Sequence, residues 1–119
     1  IGFGLSETAE DLPSSAVVVA ELSSFQLELT SYLKAKSAVI LNLTPDHSDR
    51  HHTMEAYGEA KKRIFLNQDK NDYAILNYDD SAVRAMASDL SGTVLYISVH
   101  GEVPVGAFAA DGNLFIRME

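Results

Sequence analysis

The chain has no cysteine and no tryptophan in 119 residues. Without cysteine it has no disulfide, no thiolate metal site and no thiol nucleophile, a composition that suits a reducing cytoplasm. Positive charge is scarce too. Nine Lys plus Arg stand against seventeen Asp plus Glu, giving a net charge of −8, and the basic residues form no stripe. Duplex nucleic acid is therefore not an expected partner. An acidic chain can still hold phosphate through backbone N–H groups or metal ions. No apolar run approaches the roughly 20 residues of a membrane span, so no membrane partner is expected. The first 13 residues lack both the basic and the apolar segment of a secretory signal, and the start on Ile1 instead of Met points to a piece of a longer protein.

Hydrophobic residues make up 46% and charged residues 22%, the balance of one soluble globular domain spanning residues 1–119. Strand-like apolar runs at 16–20 (AVVVA), 38–42 (AVILN), 73–77 (YAILN) and 93–97 (TVLYI) alternate with helix-like stretches. This order predicts an α/β fold, a mostly parallel sheet flanked by helices. Residues 54–68 read as the longest helix with Thr53 as N-cap, residues 69–72 as the following turn, and 79–90 as a helix opened by Asp79 or Asp80. A weaker helix is expected over 24–33. Around Asp111 and Gly112, residues 105–109 and 114–118 predict a C-terminal β-hairpin.

Glu21, Asn42 and Asn77 each follow an apolar run, and in open α/β sheets ligands sit outside the carboxyl ends of the strands. Residues 41–52 (LNLTPDHSDRHH) crowd Asp46, His47, Asp49, His51 and His52 into one loop. Such a loop is either solvated and turn-forming, a metal site using His47 and His51, or a hydrolytic centre built on Asp46, His47, Asp49 and His51. At 3.6 residues per turn, Tyr57, Lys61, Ile64 and Phe65 share one apolar face of the next helix, whereas Glu55, Glu59 and Lys62 fall on the polar side. Lys62 reads as an ordinary surface lysine. Lys61 either snorkels to solvent or is paired, modified or put to use. Glu21 is either a helix-capping carboxylate or an oxygen donor suited to Mg²⁺.

In order along the chain, ELSSFQLE at 21–28, LNLTPDHSDRH at 41–51 and MEAY at 54–57, followed by Ala60-Lys61 and Arg63-Ile64-Phe65, resemble the Mur ligases of peptidoglycan synthesis. The match is to the central, ATP-binding domain, and the ELSSFQL run is typical of the branch that adds D-glutamate. The resemblance implies an amide ligase of the bacterial cytoplasm acting on UDP-N-acetylmuramoyl-L-alanine and D-glutamate. ATP phosphorylates the substrate carboxylate, and the incoming amine then attacks the acyl phosphate. Two Mg²⁺ ions are implied, with Glu21 and His47 as metal-binding positions. Lys61 matches a lysine carried as a carbamate at the metal site, and His47 and Lys61 match catalytic positions. Ser23, Gln26 and Tyr57 match positions lining the muramoyl substrate.

The Gly-rich phosphate loop that ends in Lys-Ser/Thr is absent from the chain. This stretch alone is therefore expected to be inactive, with a sheet edge exposed for self-association. The alternative expectation is a non-catalytic metal-binding or interaction module of the same fold.

Overall fold

A computed structural model describes residues 12–44 and 53–118. Strands β1 (Ser37–Ile40), β2 (Tyr73–Asn77), β3 (Thr93–Ser98), β4 (Gly106–Ala110) and β5 (Asn113–Arg117) form one sheet in that spatial order. The first three contacts are parallel and β4–β5 is an antiparallel hairpin, so the expected mostly parallel α/β fold with a C-terminal hairpin is what forms. The register pairs Ala38 with Ala74 and Ile40 with Leu76, and continues from Ala74 to Val94 and from Leu76 to Tyr96.

Those alternate residues point to one face, where helices cover them. Helix α2 (Met54–Lys62) begins where Thr53 Oγ accepts from the Ala56 N–H at 3.1 Å, and its tail tightens into a 3₁₀ turn, Arg63–Phe65. The next connection carries α3 (Ser81–Ala85) and a 3₁₀ turn, Met86–Asp89. Phe65, Val83 and Met86 close over Ala38, Ile40, Ala74 and Leu76 as the buried core.

The expected helix over 24–33 shrinks to α1 (Ser24–Glu28). The guanidinium of Arg63 donates through Nε to the Leu27 carbonyl at 2.9 Å and through Nη2 to the Thr30 carbonyl. These bonds satisfy the end carbonyls without further helical turns. Leu29 and Tyr32 beyond them are exposed.

The predicted strand at 16–20 is a correction. These residues belong to no strand, and Val17 and Val19 are 88% and 92% exposed. The β-branched run reports a preference for extended, buried backbone, but a strand needs a ladder partner, and here a cavity separates Val19 and Ala20 from Val39 and Ile40. The opposite face of the sheet is likewise open, with Val39, Tyr73, Leu114 and Ile116 exposed among the described residues. Parallel sheets are normally covered on both faces.

The link from β3 to β4 spans only residues 99–105, and Gly106 makes it possible. At φ +125°, a Cβ there would stand 2.0 Å from the Tyr96 carbonyl oxygen, so no other residue fits.

Before β2, Asp72 is buried and accepts from the Asp69 N–H at 3.0 Å, with Lys34 Nζ at 3.3 Å and Lys36 Nζ at 3.4 Å. The Asp69 N–H is the largest influence lowering its pKa from 3.8, opposing desolvation, and the two lysines add to it. A carboxyl with a depressed folded pKa contributes stability that is complete above its unfolded value and is lost as pH falls through the folded one. Asp72→Asn is therefore expected to lower the urea midpoint at pH 6 and to flatten the loss of stability below pH 3.8. Urea titrations of both proteins from pH 6 to pH 2 check this; parallel curves would contradict it.

Candidate active site at the carboxyl end of β1

Outside the carboxyl end of β1 lies a cleft of about 480 Å³ lined by Glu21, Leu22, Leu41, Asn42, Lys61 and Ile64, among others. Three segments build it. The extended stretch before α1 brings Glu21, the end of β1 brings Leu41 and Asn42, and the last turn of α2 brings Lys61. Residues 23, 26 and 57 are not part of this lining.

Lys61 and Lys62 are neighbours with opposite surroundings. The Lys62 ammonium lies 2.7 Å from Glu59 and 3.1 Å from Asp89, with its side chain 22% exposed. The Glu59 hydrogen bond, then that of Asp89, raises its pKa. Asp89 is lowered in turn, first by Lys62 and then by the Ser88 hydroxyl. Lys62 is thus a surface lysine that bridges α2 and the 3₁₀ turn after α3. Lys61 has no carboxylate partner among the described residues; its Nζ lies 5.2 Å from the centroid of the Tyr57 ring. Tyr57 itself is buried, so its ring forms the floor under Lys61.

Ser23 and Gln26 are exposed and hold each other in a capping box at the start of α1. The Gln26 N–H donates to Ser23 Oγ at 3.3 Å, and the Ser23 N–H donates to Gln26 Oε1 at 2.9 Å. They are the sequence neighbours of Leu22 and Leu27, which do line the cleft. His47, with Asp46, Asp49 and His51, lies outside the described residues.

Among the described residues no three His, Asp or Glu side chains converge. The donors in the cleft are nonetheless oxygen donors, the Glu21 carboxylate and the Asn42 amide, which is the chemistry Mg²⁺ selects. An ammonium at Lys61 offers no lone pair, whereas a carbamate there would add two oxygens on the same wall. Asn42 is the lining residue that motif reading did not single out as a site; its signal was its place directly after the β1 apolar run.

A mostly parallel sheet with a cleft outside one strand's carboxyl end, apolar except for Glu21, Asn42 and Lys61, defines an α/β domain of the ligand-at-the-strand-end class. The Mur ligase middle domain pattern matches residues 3–113, and the chain belongs to the Mur ligase family. It is 41% identical over all 119 residues to UDP-N-acetylmuramoylalanine--D-glutamate ligase of Clostridioides difficile (strain 630), covering 26% of that protein. Over 98 residues, 82% of the chain, it is 50% identical to the ligase of the same name from Desulfitobacterium hafniense (strain Y51), covering 22% of it. The Geobacter metallireducens ligase of that name is 44% identical over 117 residues, 98% of the chain and 26% of the relative. The chain thus spans about a quarter of the length of these curated relatives.

The capping box gives a testable consequence. Ser23→Ala removes the acceptor for the Gln26 N–H and is expected to cost about 1 kcal/mol. Thermal or urea unfolding measures it, and an unchanged midpoint would contradict a capping role for Ser23.

Proposed function

We propose that the chain is part of the central domain of an ATP-dependent ligase that joins D-glutamate to UDP-N-acetylmuramoyl-L-alanine in the bacterial cytoplasm. The observation that carries this is the shared cleft: Glu21 and Lys61 come from segments forty residues apart in sequence and meet at the end of β1. A second support is that Lys61, unlike Lys34, Lys36 and Lys62, has no carboxylate neighbour among the described residues.

The reaction transfers the γ-phosphoryl group of ATP to the muramoyl-alanine carboxylate and releases ADP. The D-glutamate amine then forms a C–N bond with the acyl carbon, loses a proton, and expels phosphate. Glu21 and His47 would hold Mg²⁺, which supplies neutralising charge for the phosphate oxygens. Lys61, as its carbamate, would place an anion beside Glu21 and orient that ion. CO₂ adds only to a neutral amine, and among the described residues no carboxylate pairs with Lys61 to hold it as an ammonium, whereas Lys62 is held between Glu59 and Asp89. Leu22 and Ile64 keep this wall apolar, and Ser23, Gln26 and Tyr57, outside its lining, would contact the muramoyl substrate.

The full-length parent tests this. Lys61→Ala is expected to lower ligation by at least about 10²-fold, as loss of a charge-orienting group does, and short carboxylates such as acetate or formate are expected to restore part of it. Full activity of Lys61→Ala would overturn the carbamate role, and a folded but inactive wild type would overturn the ligase reading and favour a non-catalytic module.

The 119-residue chain by itself is proposed to self-associate through the open sheet edge at β1, where Val39 is 43% exposed. Sedimentation velocity is expected to show s-values rising with concentration; a monomer throughout would refute it.

A further inference from the structure

The ladder between β1 and β2 ends at the pair Ile40–Leu76, so the cleft-lining residues Leu41 and Asn42 lie beyond the sheet's own hydrogen bonds. Two side chains from the far end of β2 hold them instead. The Asn77 side-chain N–H donates to the Leu41 carbonyl at 2.8 Å, while Asn77 Oδ1 accepts from the Asp79 N–H at 2.9 Å. Asp80 divides its carboxylate. Oδ1 accepts from the Ala82 and Val83 N–H groups at 3.0 and 3.1 Å, capping α3, and Oδ2 accepts from the Leu43 N–H at 2.8 Å.

Capping a helix requires one oxygen. The second oxygen is spent on the backbone that leaves β1, and Asn42 is clamped between the two fixed groups, the Leu41 carbonyl and the Leu43 amide. From below, Leu43 packs against α2 at Gly58, where a Cβ would come within 3.2 Å of Leu43 Cδ2. The exit of β1 is therefore tied to β2, α2 and α3 at once.

We propose that Asp80, assisted by Asn77, is a positioning residue for the candidate active site: it fixes the backbone of residues 41–43 and thereby the place of Asn42 in the cleft that holds Glu21 and Lys61. Neither residue lines that cleft. The inference rests on the ligase reading for its kinetic consequence, and on the hydrogen bonds alone for its structural one.

Asp80→Ser separates the two jobs, because serine is a good N-cap but its single, shorter-reaching oxygen cannot also hold the Leu43 amide. In the full-length parent, the Ala82 and Val83 amides are expected to exchange within about twofold of wild type, while Leu43 exchanges about tenfold faster or more. The NMR signals of the Asn42 side-chain amide and the Lys61 Nζ are expected to shift, and kcat to fall on the order of 10- to 100-fold. Unchanged Leu43 exchange, or unmoved Asn42 and Lys61 signals, would overturn the proposal. Should Asp80→Ser not fold, Asn77→Asp keeps the acceptor for Asp79, loses the donor to Leu41, and is read by the same two signals. A wild-type parent that makes no amide bond contradicts the ligase reading alone, and the exchange rates and NMR signals still decide the positioning role.

Discussion

Burial of one face of the parallel ladder is the constraint on which the rest of this structure depends. Ala38 and Ile40, Ala74 and Leu76, and Val94 and Tyr96 lie row by row under α2 and α3, and removing that surface from water fixes both register and crossover geometry. Ala74, Leu76 and Val83 have no exposed surface. Because the strands run parallel and in register, their carboxyl ends finish together. The polar residues that follow them, Asn42 after β1 and Asn77 at the end of β2, are brought side by side by a packing requirement that has nothing to do with chemistry.

The same packing separates two adjacent lysines. A step of one residue turns a helix by about 100°, so Lys62 faces Glu59 and Asp89 while Lys61 lies over the Tyr57 ring and into the cleft. A lysine held between two carboxylates is a fixed cation, and its raised pKa follows. Lys61 meets no carboxylate among the described residues. The difference between the two lysines is therefore a property of helix phase.

Residues whose signal is local were legible in the sequence. The runs that became β1, β2 and β3 carry it in side chains that favour extended, buried backbone, Thr53 and Asp80 in side chains that cap whatever helix follows, and Asp111-Gly112 in a turn that puts both residues at positive φ. The same logic failed at residues 16–20, because β-branching reports suitability for a strand and not the presence of a partner. It failed again at 24–33, where Arg63 from another element takes the carbonyls at the end of α1. At the site, the apolar stripe identified Lys61 and the strand-end rule identified Glu21. Their meeting in one cleft, and the double use of Asp80, depend on contacts forty or so residues apart that no periodicity encodes.

The proposed ligase role requires Glu21, Asn42 and Lys61 to border one divalent-cation site. Mn²⁺, a paramagnetic substitute for Mg²⁺, can be titrated into the isotopically labelled full-length parent with ATP present while amide signals are followed. The account predicts that the signals of Glu21, Asn42 and Lys61 broaden first and together. Broadening that begins at exposed carboxylates away from the cleft, such as Asp69 or Asp89, or spreads evenly over the acidic surface, would contradict it.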